Sequence, residues 1–169
     1  MTDRLFTRKS QFLSWKRIGL VYAVIVIAAG YVALSYARDR WAFGLNMTES
    51  LPHWAFLADA DVMPRNGELV MFDPPENPYY DGAFVKRIVG VAGDRIEVQG
   101  RRVYVAGVFV GEAKPVSQDG RALVAISPQV IPEGYVYVAG THIDSYDSRY
   151  EEIGLIPIER IVGRAYPIL

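Results

Sequence analysis

Hydrophobic positions along this 169-residue chain change character once, near residue 40. Ile18 to Ala37 is an unbroken run of 20 uncharged, mainly apolar residues, IGLVYAVIVIAAGYVALSYA. Wound at 1.5 Å per residue, it predicts a helix of about 30 Å, the thickness of a bilayer's hydrocarbon core. Beyond Trp41 the apolar residues come in short runs rich in Val, Ile and Tyr, punctuated by Gly, Pro and Asn at intervals of about 8–12 residues, the signature of strands and turns. Glu68–Phe72, Ala83–Val89, Arg95–Val98, Arg102–Val105, Val108–Val110, Arg121–Ile126, Tyr135–Val138 and Ile158–Tyr166 are the predicted strands. Asp73–Tyr80 (DPPENPYY) predicts a long exposed loop, and nothing after residue 41 carries a long helical period. The expected architecture is one N-terminal transmembrane helix, about 18–37, followed by a mainly β domain, antiparallel, closed as a barrel or folded as paired sheets. Residues 1–40 form the basic segment and anchor, and 41–169 the β domain.

Charge gives the anchor a direction. Residues 1–40 hold seven Lys/Arg and two Asp, a net of +5, whereas the remainder holds 11 Lys/Arg and 17 Asp/Glu, a net of −6. Arg4, Arg8, Lys9, Lys16 and Arg17 precede the apolar run and only Arg38 and Arg40 follow it closely. The positive-inside tendency therefore predicts a cytoplasmic N-terminus and an outer β domain. A cleavable signal peptide is the alternative, since Ser35-Tyr36-Ala37 resembles a small-x-small cleavage site. Signal h-regions run only about 7–15 residues, which favours a retained anchor. The acidic outer domain excludes a basic nucleic-acid-binding surface. With no cysteine there is no disulfide framework and no thiolate metal site.

Lacking thiols, the chain offers serine and lysine as its best nucleophile and base. Ser50 lies in Asn46-Met47-Thr48-Glu49-Ser50-Leu51-Pro52, and Lys86 follows in Phe84-Val85-Lys86-Arg87-Ile88-Val89-Gly90. Lysine activates a serine only when its amine is neutral, which burial promotes. Strand alternation sends either Lys86 or Arg87 inward, and of the two only lysine can shed its proton. An edge-strand lysine in solvent is the plainer reading. Thr48 and the Ser50 backbone N–H form a candidate oxyanion hole, although a turn threonine needs no such role. The polar segment Gly140–Tyr150 predicts a hydrogen-bonded loop in which Asp147 and Arg149 pair and a serine orients a nearby amine. His142 beside Asp144 offers a rival Ser-His-Asp arrangement, and His53 a poorer one.

Together, Ser50-x-Pro52, Lys86-Arg87-x-x-Gly90-x-x-Gly93-Asp94 and Asp144-Ser145-x-Asp147-Ser148-Arg149, in that order, resemble the type I signal peptidase family of serine–lysine peptidases. Gly67–Phe72 resembles that family's Gly-Asp-hydrophobic strand. The resemblance implies a signal-peptidase-like β fold, Ser50 as nucleophile, Lys86 as general base and Thr48 with the Ser50 N–H at the oxyanion. It also implies Ser145 as the hydroxyl that orients the lysine, with Asp147 and Arg149 as a supporting ion pair. An extended substrate segment would lie as an added strand beside Gly44–Glu49 and Asp81–Val85, contacting Asn46, Met47, Glu49, Phe84 and Val85, with shallow pockets for small residues. Leu51 replaces the family's usual Met, and Gly140-Thr141-His142-Ile143 replaces its Gly-Asp-Asn-Arg. The short stretch between Asp94 and Tyr135 and the Asn46-x-Thr48-x-Ser50-x-Pro52 pattern look most like the subgroup that processes conjugative pilin precursors. That subgroup implies hydrolysis or, by attack of an internal amine, cyclisation.

The expected function is a membrane-anchored serine endopeptidase of the bacterial inner membrane, with its catalytic domain in the periplasm. Its partners are a signal-peptide-bearing or pilin precursor and the lipid bilayer, not nucleic acid, and the chemistry calls for no metal or organic cofactor. Leu51, Trp54, Phe56 and Leu57 are candidates either for the bilayer interface or for core packing. The competing readings are a tethered, non-catalytic assembly module and a self-cleaving serine–lysine repressor. The latter lacks a basic DNA-reading segment.

Overall fold

A computed structural model describes residues 15–45, 50–76, 78–80 and 82–168. The chain separates into two compact units, Met1–Arg38 and Asp39–Leu169. The first carries most of helix α1, Trp15–Arg40, whose apolar residues are exposed along its length. From Arg17 to Arg40 it is long and apolar enough to cross a membrane. Three residues at each end, Trp15–Arg17 and Arg38–Arg40, extend it beyond the predicted span, and four of the six are lysine or arginine, which propagate a helix readily once its middle has formed.

The second unit is mainly antiparallel β. Its strands are β1 (Trp41–Leu45), β2 (Ala55–Asp59), β3 (Leu69–Phe72), β4 (Phe84–Gly90), β5 (Arg95–Gln99), β6 (Arg102–Val105), β7 (Val108–Glu112), β8 (Gln129–Val130), β9 (Tyr135–Ala139), β10 (Ile156–Pro157) and β11 (Ile161–Pro167). They form a seven-stranded sheet ordered β1-β2-β11-β3-β4-β9-β10 and a four-stranded sheet ordered β7-β6-β5-β8. Both sheets keep open edges, so the paired-sheet alternative holds and a closed barrel does not. The last strand, β11, inserts between β2 and β3 and ties the end of the domain to its beginning.

Alternation decides which side chains enter the core. Val70 and Phe72 from β3, Ile88 from β4, Ile96 from β5, Val103 and Val105 from β6 and Val138 from β9 converge in the main apolar cluster. On the other face of the large sheet, Leu51, Phe56, Ala58, Met71 and Ala165 form a smaller cluster. That corrects the interfacial reading for Leu51 and Phe56: both are buried, because β2 places Phe56 on the inward face beside Met71. Trp54 is exposed and Leu57 half-buried. Arg121–Ile126 is also corrected. It makes only the isolated bridges Val116–Ala122 and Ala125–Tyr150, one to each of two partners, and so cannot extend into a strand. Among the described residues between Asp73 and Ala83 no strand forms, as Pro74, Pro75 and Pro78 supply no backbone N–H for a ladder.

Candidate functional site

Strand β4 resolves the choice between Lys86 and Arg87. Lys86 turns inward and is 4% exposed, while Arg87 turns to solvent and donates to the Gly67 carbonyl. The β3–β4 ladder opposes Lys86 to Val70, on the face that also carries Phe84 and Ile88. The Lys86 Nζ stands 5.6 Å from the centre of the Phe84 ring. Burial lowers its pKa from 10.5 to about 8, and the neighbouring Arg149 charge acts in the same direction against the opposing pull of Asp147.

The two ladders on β4 leave a gap beside this lysine. Phe84 to Arg87 pair with β3, but pairing with β9 starts only at Arg87, opposite Ala139. Phe84, Val85 and Lys86 thus have a strand on one side and a cavity on the other. Past Ala139 the chain breaks away at Gly140 into the polar loop. Gly140 lets three segments close on one point: a Cβ there would stand 2.7 Å from the Ser145 Cβ and 2.8 Å from the Ser50 carbonyl oxygen.

Ser50 enters this gap from a turn after β1 and is 4% exposed. Its carbonyl accepts from the Thr141 N–H at 3.0 Å, the His142 N–H at 3.4 Å and the Thr141 hydroxyl at 3.4 Å. Leu51, the next residue, packs into the smaller core cluster with Met71 and Val85. One side of the turn is therefore anchored by packing and the other by hydrogen bonds.

Around the polar loop the dominant group is Arg149, one of the most deeply buried side chains of the domain. Its guanidinium forks onto Asp147, with Nε to Oδ1 at 2.9 Å and Nη2 to Oδ2 at 3.0 Å, and also donates to the carbonyls of Ser145 at 2.8 Å and His142 at 3.2 Å. Asp147 Oδ2 in turn accepts the Gly140 N–H at 2.9 Å. Ser148 accepts the Val138 N–H at 3.1 Å, which closes the loop onto β9. Ser145 is buried, and its hydroxyl finds no protein partner among the described residues.

Ser50, Phe84, Val85, Lys86 and Ser145 line one cavity of about 690 Å³. Asp147 and Arg149 brace its loop from behind. Thr48, Asn46, Met47 and Glu49 lie outside the described residues. His142 also lines the cavity, but its Nδ1 accepts the Asp144 N–H at 3.2 Å, and the Asp144 carboxylate is engaged by Lys114 and Gln118. With Nδ1 accepting that N–H and standing 4.0 Å from the nearest Asp144 carboxylate oxygen, the ring does not donate the Nδ1–H hydrogen bond to Asp144 by which a Ser-His-Asp triad orients its histidine.

One wall of the cavity was not foreseen. A hairpin from Pro115 to Leu123 contributes Val116 and Gln118, and Lys114 at its foot pairs with Asp144. Asp119-Gly120 is a turn signal that locates this hairpin, but its strands are too short for apolar alternation to register. Tyr80, Tyr146 and Tyr150 form an aromatic row along the same cavity, with successive ring centres 5.4 and 5.7 Å apart.

Among the described residues no cluster of His, Cys, Asp and Glu is placed to hold a metal ion.

Residues 14–169 match the family model described as signal peptidase, peptidase S26. A probable signal peptidase I-2 from Synechocystis sp. is 34% identical over 167 residues, covering 90% of this chain and 72% of that protein. The conjugal transfer protein TraF of Agrobacterium fabrum is 25% identical over 146 residues, covering 75% of this chain and 81% of its own length. A signal peptidase I from Bacillus amyloliquefaciens is 28% identical over 176 residues, covering 93% and 87%.

Proposed function

This chain belongs to the signal peptidase family, peptidase S26, and on that premise we propose that it is a membrane-anchored serine endopeptidase working through Ser50 and Lys86. The observation that carries the reading is a buried lysine with a pKa of about 8 lining the same cavity as a buried serine. At neutral pH such an amine is uncharged often enough to act as a base, whereas a solvated lysine is not.

In the proposed reaction the Ser50 Oγ attacks the scissile carbonyl while its proton passes to the Lys86 Nζ. The ammonium so formed returns that proton to the departing amine, leaving an acyl-enzyme. Lys86, neutral again, takes a proton from water as the water attacks the ester, and Ser50 regains its hydroxyl. Thr48 and the Ser50 N–H serve the oxyanion. Ser145, whose buried hydroxyl has no partner among the described residues, orients the lysine. Asp147 and Arg149 act through the loop they brace and touch no reacting atom.

The precursor chain lies against the unpaired edge of Phe84–Lys86 and alongside Asn46, Met47 and Glu49. An extended peptide there gains main-chain hydrogen bonds that β9 leaves unmade. Helix α1 serves as the anchor, with the N-terminus cytoplasmic and the β domain on the periplasmic side. The apolar side chains of Trp41, Phe43 and Leu45 are exposed on edge strand β1, as is Trp54, and suit a surface seated at the bilayer interface. Similarity to a conjugal transfer protein supports a pilin-type precursor as one substrate class.

Co-expressing a candidate precursor with wild type, Ser50→Ala or Lys86→Ala, followed by mass spectrometry, tests this reading. Processing by wild type alone is expected, and processing that survives both substitutions refutes the dyad. A product lighter than the hydrolysed peptide by one water identifies cyclisation. Binding of the precursor with no serine acylation identifies a tethered assembly module instead.

A further inference from the structure

The cavity's hairpin wall carries a bare strand edge. The Leu123 N–H donates to the Pro115 carbonyl and the Ser117 N–H to the Arg121 carbonyl, both at 2.9 Å. These bonds bracket the opposed pair Val116 and Ala122. In an antiparallel ladder a residue so bracketed directs its own N–H and C=O away from its partner strand. Neither backbone group of Val116 has a protein partner among the described residues. Val116 lines the same cavity as Ser50 and Lys86, yet it is 47% exposed. A bare edge bearing an apolar side chain is a ready template for another extended chain.

This edge is also held in place at several points. Arg101 gathers both feet of the hairpin, donating to the carbonyls of Ala113, Lys114 (2.6 Å) and Leu123 (2.9 Å). Lys114 and Gln118 reach the Asp144 carboxylate, directly before Ser145. Arg121 stacks on the Tyr79 ring with its Cζ 3.6 Å from the centroid, which ties the hairpin to the loop ahead of β4. An edge fixed in this way costs little further ordering when a ligand arrives.

We propose that the Val116 edge is a second docking strand for the precursor, pairing with an extended segment separate from the one lying against β4. The inference rests on the peptidase reading, because the precursor is the extended chain that reading brings into this cavity. The Val116 N–H donates to a precursor carbonyl and the Val116 carbonyl accepts a precursor amide. The Val116 side chain covers an apolar residue of the precursor.

The test uses the full chain in nanodiscs with a fluorogenic lipopeptide carrying Ala-Xaa-Ala before the scissile bond. Val116→Pro removes the outward N–H and none of the hairpin's own bonds, whereas Val116→Thr keeps both backbone groups. Expected for Val116→Pro is a KM raised about tenfold, the worth of one hydrogen bond, with kcat within twofold. Val116→Thr should stay within twofold on KM. An unchanged KM in a folded Val116→Pro protein overturns the proposal.

Should the proline variant fail to fold, amide exchange at Val116 in Ser50→Ala protein gives the answer. Exchange slowed at least tenfold by the bound, uncleaved lipopeptide supports docking, and unchanged exchange refutes it. Labelling of wild-type Ser50 by a fluorophosphonate reports on the dyad separately. If that labelling and cleavage both fail, the peptidase reading falls while the exchange measurement still decides the edge.

Discussion

Thr141 donates its backbone N–H to the carbonyl of Ser50 at 3.0 Å, so a loop 91 residues further along the chain sets the position of the candidate nucleophile. The contact depends on Gly140, whose missing side chain leaves room for Ser145 and the Ser50 carbonyl together. Gly140→Ala should push these segments apart. A displacement of about 1 Å at a reacting group can cost about 100-fold in rate, and a loss of that order in kcat/KM for peptide cleavage is expected. A rate within threefold of wild type would show that the spacing is not critical.

Lys86, lowered by burial to a pKa of about 8, fixes the expected pH dependence. At pH 7 only about one molecule in ten carries the neutral amine, so acylation of Ser50 should climb about tenfold towards pH 9 and then level off. Measured with a fluorophosphonate across pH 6–10, a flat profile would exclude Lys86 as the base.

Stability should follow pH in a related way. The folded lysine holds its proton less tightly than the unfolded one, so the unfolded state binds more protons between about pH 8 and 10.5. Unfolding free energy therefore rises with pH through that window, by about 3 kcal/mol if the full shift is expressed. Lys86→Met should abolish the slope and be more stable than wild type at pH 7. Urea denaturation at several pH values checks both.

Removing Arg149 should leave the Asp147 carboxylate buried without its cation and strip donors from the carbonyls of Ser145 and His142. Breaking a buried pair in this way costs about 3–5 kcal/mol. Arg149→Ala is expected to lose stability on that scale. Arg149→Lys should recover less than half of it, since a single ammonium cannot reproduce the guanidinium fork. Chemical denaturation of the three proteins decides.

His142→Ala separates the dyad from the triad. Its Nδ1 accepts the Asp144 backbone N–H instead of donating a hydrogen bond to the Asp144 carboxylate, so cleavage should fall less than fivefold, while Lys86→Ala should fall below detection. The reverse pattern would make His142 the base.

Much of this arrangement was legible from local pattern. The uncharged run from Ile18 to Ala37 foretold α1, and the alternation around Lys86 narrowed the inward residue to two. Strands β3, β4, β5, β6 and β9 fall within two residues of their predicted positions. Strands β1 and β2 were missed. Trp41–Leu45 continues the helix's apolar character without a turn signal, and Ala55–Asp59 is paired on both sides, so its pattern lacks a clear polar face. The insertion of β11 between β2 and β3 is a long-range pairing that no local period encodes. Nor does spacing show that one guanidinium, Arg101, reaches three carbonyls up to 22 residues away.

That guanidinium has a practical consequence. With Arg101 setting the separation between take-off and landing of the Pro115–Leu123 segment, the tip between them becomes an exchangeable cassette. Tips of other lengths or sequences that keep Gln118 on Asp144 and Arg121 on Tyr79 can be grafted onto the same footing, a route to retargeting which chains the site accepts.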